Sequence, residues 1–302
     1  MQARQTLKGI AYTVLAAACF SVLDTTAQYV SAFVPILMAL WFRYVFQALA
    51  TAAMLAPQRG LRMLRMQRPS LHLLRGVLLM VSTGFAFASL KVMPVSEFTA
   101  VVMITPIAIT WIAATALKQP VSGLRWALVV SSFLATMVII RPFSHGFEPQ
   151  MLLPLGCVVA NVAFQLLTSS MARTEDPMTM HLSTGLVGTL LASLAIPFAF
   201  VWLPGWKLWA LLVLMSAAST AGHFFLIKSF QKAQPATLMP YQYAQIVFAL
   251  IGGWLVFRYV PDQWSVLGMA VIGLCGALGA WLTVHESRVS IANSAAQVLP
   301  AK

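Results

Sequence analysis

Three ionisable side chains stand inside stretches of this chain that are otherwise apolar: Asp24 within 9–30, Arg43 within 34–56 and His223 within 206–228. Placing a charge at the centre of a hydrocarbon-spanning helix costs about 2.5–3.5 kcal/mol on insertion scales, so such a residue is read first as part of a functional site. An arginine fork suits a carboxylate or a phosphate. A carboxylate that moves between apolar and wet surroundings can carry a proton, which makes Asp24 and Glu97 candidates for coupling. Glu97 reads first as a helix first-turn acid favoured by the helix dipole, with coupling as the second reading. His223 could shuttle protons, although a lone histidine is more often a satisfied packing residue. At helical rise, Asp24 lies about 22 Å from the inner end of its stretch, and Arg43 about 14 Å from the outer end of a stretch running the other way. They are expected to approach each other near a buried chamber, either as a fixed ion pair that orients helices or as contacts for a solute or a coupling proton.

Neutral polar residues mark the same depth. The run Pro240-Tyr241-Gln242-Tyr243-Ala244-Gln245 reaches the middle of its stretch. Proline there frees a backbone carbonyl, and a broken helix at that depth is tolerated where it lines a cavity. Tyr241 and Gln245 share one face at i, i+4. Tyr241 and Tyr243 offer flat apolar surfaces with polar tips. Thr105-Pro106 occupies a similar depth from the other half of the chain. Asn161 and Gln165, also i, i+4, read as pocket or as interhelical hydrogen bonding.

The elements that must position these groups are ten apolar segments: 9–30, 34–56, 71–90, 94–117, 122–141, 150–171, 178–202, 206–228, 235–257 and 263–284. About 20 apolar residues match the thickness of a bilayer core. Hydrophobic residues make up 60% of the 302 and charged residues 9%, against about 25% charged in a soluble domain. The formal charge of +12 reads as topogenic charge beside anionic lipid rather than as a nucleic-acid surface. With the N-terminus inside, Arg4, Lys8, Arg59, Arg62, Arg65, Arg68, Arg75, Lys118, Arg125, Arg173, Lys228, Lys232, Arg288 and Lys302 fall on the inner side, and only Lys91, Arg141, Lys207 and Arg258 on the outer. Both termini are therefore expected in the cytoplasm of a multi-pass inner-membrane protein. The segment 57–70 reads as a short basic piece on the inner surface. Cys19, Cys157 and Cys275 lie within apolar runs without metal or disulfide spacing, so no metal or cofactor is expected. Gly273, Gly276, Ala277 and Ala280 should permit close helix approach, within the bundle or in a homodimer.

Lys91, Pro94 and Pro120 recur 141 residues later as Lys232, Pro235 and Pro261. That spacing divides ten segments into five plus five, and an odd number per half forces opposite orientations. The expected fold is an all-α integral membrane protein of ten transmembrane helices, built as two inverted five-helix repeats, 1–145 and 146–285, with a flexible cytoplasmic tail at 286–302. Inverted repeats of this kind place a solute site where the halves meet.

At this point the chain resembles the drug/metabolite transporter superfamily, specifically proteins with two EamA domains. The resemblance rests on Trp41-Phe42-Arg43-Tyr44, on Leu74-Arg75-Gly76, on Ser89 through Pro94 to Thr105-Pro106-Ile107, and on Ala236 to Tyr243. It adds Trp41 and Tyr44 to the candidates beside Arg43. It implies secondary transport of a small metabolite, in either direction. Where that family often carries a glycine-glutamate pair, this chain reads Leu117-Lys118-Gln119-Pro120 and Phe257-Arg258-Tyr259, so no role of that glutamate is carried over.

The seven acidic residues and five histidines are dispersed, which argues against an integral membrane enzyme. No phosphate-binding G-x-x-x-x-G-K-[ST] run occurs, so ATP hydrolysis is not expected. The sequence therefore points to a secondary transporter of a carboxylate-bearing or amino-acid-like solute held by Arg43, Tyr241 and Tyr243, most simply exported. Uptake of a vitamin or nucleoside-like metabolite, of the riboflavin or S-adenosylmethionine type, is the alternative.

Overall fold

The apolar segments fold as helices, and two of them break near their middles. The computed structural model describes residues 2–93, 95–140, 149, 152–258, 260 and 262–298. Pro94, Arg141, Pro261 and Lys302 lie outside the described residues, and Glu97 is described as helical backbone without its side chain. The helices are α1 (Gln2–Ser31), α2 (Ile36–Arg59), α3 (Pro69–Val92), α4 (Val95–Val102), α5 (Ile104–Thr115), α6 (Gly123–Ile140), α7 (Leu152–Met171), α8 (Pro177–Ser193), α9 (Trp206–Lys232), α10 (Pro235–Gln242), α11 (Ala244–Phe257) and α12 (Gln263–Val298). No strand occurs among the described residues. Among the described residues five helices, α1, α2, α3, α7 and α9, are long and apolar enough to cross a membrane, and shorter apolar helices accompany them. The chain is a multi-pass helical membrane protein.

Local chemistry explains the helix ends. Pro106 cannot donate to the carbonyl of Val102, and α4 stops at that residue. In the 235–257 segment the helix instead runs through Pro240 and breaks at Tyr243. Tyr243 follows Met103, the first break, by 140 residues, and the only non-glycine residues described with positive φ, Lys118 (φ 49°) and Arg258 (φ 59°), are also 140 apart. Helix α8 ends at Ser193 rather than at 202 because Pro197 lacks the N–H that would bond the Ser193 carbonyl. It begins on Asp176, whose carboxylate accepts from the Thr179 amide at 2.9 Å, with Pro177 at the first turn. Helix α12 continues to Val298, past residue 284. The 57–70 segment carries a 3₁₀ turn at Gly60–Leu64, with Arg62, Arg65 and Arg68 exposed and Met63 and Met66 half-buried.

Helices of the first half pack on helices of the second: α1 on α9, α2 on α8, α3 on α7, α6 on α12. Each of these pairs runs antiparallel. Gly9 lies by Lys232 while Gly222 lies by Phe20, and Gly156 lies by Phe85 while Arg75 bonds Thr168. Glycines bring the axes close. A Cβ on Gly185 would sit 2.9 Å from the Ala48 amide nitrogen, and one on Gly188 would fall on the Tyr44 ring. Gly273 and Gly276, by contrast, face open space within 4 Å.

Candidate functional site

Both broken helices reach a central cavity of about 90 Å³, room for several water molecules. Its wall takes Phe20, Leu23 and Asp24 from α1, Arg43 from α2, Thr83 and Phe87 from α3, Phe98 and Val102 from α4, Thr105 from α5, Asn161 and Gln165 from α7, His223 from α9, Gln242 from α10 and Gln245 from α11. Both halves of the chain therefore contribute.

Arg43 is 0% exposed. Its Nε donates to Ser219 Oγ, one terminal nitrogen donates to Thr83 Oγ1 at 3.0 Å, and the other meets His223 Nε2 at 2.9 Å. The guanidinium also lies 4.6 Å over the Tyr44 ring, whose hydroxyl is 3.3 Å from Thr83 Oγ1. A guanidinium can only donate, so His223 Nε2 must accept and its proton must sit on Nδ1. That Nδ1 has no hydrogen-bond partner among the described residues, and neither does Thr105 Oγ1. All three named partners of Arg43 are neutral when His223 is so arranged. This region of the wall is rich in donors, and among the described residues Arg43 has no acidic side chain as a hydrogen-bond or ion-pair partner.

Across the cavity, Asp24 Oδ2 accepts from Gln245 Nε2 at 2.9 Å. Among the described residues Asp24 and Arg43 form no ion pair, although both face the cavity. An amide ladder crosses a third wall: Gln242 Nε2 donates to Gln165 Oε1 at 2.8 Å, and Gln165 Nε2 donates to Asn161 Oδ1 at 3.1 Å. Asn161 and Gln165 are thus wall and interhelical bond at once.

The remaining candidates stand elsewhere. Trp41 Nε1 donates to Ser193 Oγ at 2.9 Å. Tyr44 backs Arg43 from behind. Tyr241 and Tyr243 are buried at 5% and 0% exposure and do not line the cavity. Tyr241 packs toward Gly279 of α12. Pro106 and Pro240 shape their helices without touching the cavity. The Glu97 side chain lies outside the described residues.

Two features escape the sequence reading. Arg75, counted there as an inner-surface charge, is 1% exposed. Its Nε donates to Thr168 Oγ1 at 2.8 Å, and one terminal nitrogen donates to the Met180 carbonyl at 2.7 Å and to Thr184 Oγ1. Nearby, His72 lies 3.4 Å from Glu175 and 2.7 Å from Ser183 Oγ, and His181 bridges Thr51 Oγ1 and the Thr220 carbonyl at 2.9 Å each. Phe164 separates this polar cluster from the cavity, its ring 4.9 Å from the Arg75 guanidinium and 5.6 Å from the His223 ring. At the opposite end, an open hollow of about 700 Å³ is bounded by Gln28, Ser31, Lys91 and Met93, and Leu90 lines both it and the cavity. Among the described residues no group of three or more His, Cys, Asp or Glu could hold a metal ion.

Comparison with known proteins agrees with this architecture. Residues 7–141 match the model of the EamA-like transporter family. The riboflavin transporter of Rhizobium johnstonii is 30% identical over 272 residues, covering 87% of this chain and 88% of that protein. The S-adenosylmethionine uptake transporter of Rickettsia prowazekii is 24% identical over 266 residues, covering 88% and 90%. The pseudopaline exporter of Pseudomonas aeruginosa is 26% identical over 276 residues, covering 89% and 95%. A solved crystal structure superposes with a TM-score of 0.76 at 19% identity, covering 94% of this chain and 99% of the other. That likeness bears on the fold alone.

Proposed function

The chain belongs to the EamA-like transporter family; it is a small-metabolite transporter and not an enzyme, and from that premise we propose that it carries a carboxylate-bearing or amino-acid-like solute out across the inner membrane by alternating access. One observation supports this reading above the others: a central cavity walled by both halves of the chain, in which Arg43 is wholly buried and forms no ion pair among the described residues. A carboxylate on the solute would complete that site.

We read the architecture as ten spans in two inverted repeats, 1–145 and 146–285, followed by the tail at 286–302, with both termini cytoplasmic. Three facts support it. Helix breaks and positive-φ helix ends recur at 140 residues. The pairing of α1 with α9 has its counterpart in α7 with α3. The antiparallel pairs fit spans that alternate in direction. On this reading the large hollow beside Leu90 is the outer vestibule, and the cluster of His72, Arg75, Glu175 and His181 closes the inner path. Alternating access then needs the inner cluster and Phe164 to part while the outer hollow closes. Proton coupling through Asp24 or Glu97, and a homodimer through the open Gly273–Gly276 face, belong to the same proposal.

The second reading is uptake of a vitamin or nucleoside-like metabolite, favoured by one relative named as an S-adenosylmethionine uptake transporter and another named as a riboflavin transporter. Relatives named for both directions leave direction to measurement. Profiling metabolites inside and outside cells with and without the protein gives solute and direction together. Arg43→Ala protein that folds yet transports at wild-type rates would remove Arg43 from the mechanism, and equal metabolite profiles in both strains would defeat the carrier reading.

A further inference from the structure

We infer that the strap joining α2 to α3 docks on anionic phospholipid headgroups of the inner leaflet, and that this contact holds the inner path shut. The inference rests on the reading of the inner cluster above and adds what regulates it. The strap begins as the 3₁₀ turn at Gly60–Leu64. Such a turn stacks residues three apart, and the Arg65 amide extends it by donating to the Arg62 carbonyl at 3.1 Å. Arg62 and Arg65 therefore share one edge, and Arg68 follows three residues on. All three are exposed, whereas Met63 and Met66 are half-buried and seat the strap. Arg173, in the short link between α7 and α8, is exposed as well.

Gln67 stands between these arginines and ties the strap to that link. Its side-chain amide donates to the Thr174 carbonyl at 3.3 Å, and its backbone amide points at Glu175 Oε2 from 3.5 Å. The same carboxylate oxygen lies 3.4 Å from His72 Nε2 at the start of α3. Strap, link and inner cluster thus meet at one buried carboxylate. Closing this clasp brings Arg65 and Arg68 toward Arg173, and like charges resist the approach. Both acids of the link are already engaged, Glu175 with His72 and Asp176 with the first turn of α8. Among the described residues Arg62, Arg65, Arg68 and Arg173 have no acidic partner. Anionic headgroups supply the missing negative charge. The strap joins two helices able to cross a membrane, which places it at the level of the leaflet's headgroups. Each arginine beside an anionic surface gains about fivefold in affinity for it. Headgroups held across the strap and Arg173 relieve the repulsion and keep Gln67 on its acceptors.

Amide hydrogen exchange on the purified full chain reads the clasp directly. Nanodiscs of phosphatidylcholine alone are compared with nanodiscs in which about one lipid in three is phosphatidylglycerol. Phosphatidylglycerol should slow amide exchange at Gln67 and over 172–176 by about fivefold or more. The triple variant Arg62→Gln, Arg65→Gln, Arg68→Gln should lose that slowing. Counterflow in liposomes of the same two compositions should be slower with phosphatidylglycerol for the wild-type chain, and alike in both for the triple variant. The inference is overturned if wild-type amide exchange is equal in both membranes or if the triple variant keeps the full slowing. It is also overturned if inorganic phosphate added to phosphatidylcholine nanodiscs reproduces the effect, since a free anion would then suffice. Slowed amide exchange with undiminished counterflow would overturn the link to the inner path. The wild-type comparison stands even if the variant does not fold. Failure of the carrier reading has its own signature: no component of a bacterial metabolite extract undergoes counterflow in either membrane. That result, with amide exchange still slowed by phosphatidylglycerol, would overturn the carrier and keep the lipid-docking strap.

Discussion

Replacing Gly188 by alanine tests the contact that holds Arg43 from behind. The added Cβ would land on the Tyr44 ring, with Cε1 at 2.6 Å and two ring carbons nearer still. Real Cβ atoms do not approach so closely, and an aromatic ring cannot bend away. Two responses are open to the protein. The axes of α2 and α8 can separate, at the cost of about 1–3 kcal/mol typical of an overpacked core. That route also gives up the close approach of Gly185 to the Ala48 backbone. Alternatively the Tyr44 ring can leave. It then gives up its place under the guanidinium, about 0.5–2 kcal/mol, and its hydroxyl contact with Thr83, about 0.5–1.5 kcal/mol. The first route predicts a loss of about 1–3 kcal/mol and the second about 1–3.5 kcal/mol, and the second also loosens Arg43, so counterflow should fall. Reversible unfolding of the purified protein in mixed micelles measures the first quantity, and liposome exchange the second. The double variant with Tyr44→Leu should recover stability by more than the single effects predict, because the clash is gone. Gly188→Ala protein within about 0.5 kcal/mol of wild type, with unchanged exchange, would refute the claim that this contact is tight and that it positions Arg43.

Further outcomes follow from other local geometry. Arg75→Lys cannot reproduce a fork that reaches Thr168, Thr184 and Met180 at once, and it should cost about 1.5–3 kcal/mol in the same unfolding assay. Asp176→Ala removes the cap on the Thr179 amide and should cost about 1 kcal/mol. Arg258→Gly relieves a left-handed conformation at φ 59° that ends α11 and should stabilise the protein by about 1 kcal/mol. No change, or a loss, on that last substitution would show that the arginine side chain compensates for its backbone.

The polar residues around the cavity were legible because a membrane segment leaves so few of them. Asp24, Arg43, Asn161, Gln165 and His223 each interrupt an apolar run, and cost alone brings such residues inward. What the sequence could not reveal was helical phase. Tyr241 and Gln245 share a face only if the helix between them is continuous. Helix α10 ends at Gln242 and α11 begins at Ala244, so Gln245 turns to the cavity while Tyr241 packs toward α12. Proline suggested a break at Pro240, yet the break came at Tyr243, and nothing in the local pattern fixes that displacement. Arg75 was hidden differently. A basic residue near the end of an apolar run is ordinarily interfacial, and the groups that bury it, Thr168, Met180 and Thr184, lie on helices about a hundred positions along the chain. The two threonine hydroxyls look unremarkable in sequence because each also bonds its own helix, Thr168 to the Phe164 carbonyl and Thr184 to the Met180 carbonyl.

The cross-half pairing has a consequence for biogenesis. During synthesis the first six helices enter the bilayer before α7–α12 exist. Two guanidinium groups then wait in lipid for acceptors not yet translated: Ser219 for Arg43, and Thr168 and Met180 for Arg75. The early segment cannot mature by itself, and its assembly must be deferred until the late helices arrive to zip against it. Expressed as two separate polypeptides cut between α6 and α7, each fragment alone should be degraded, and together they should rescue one another.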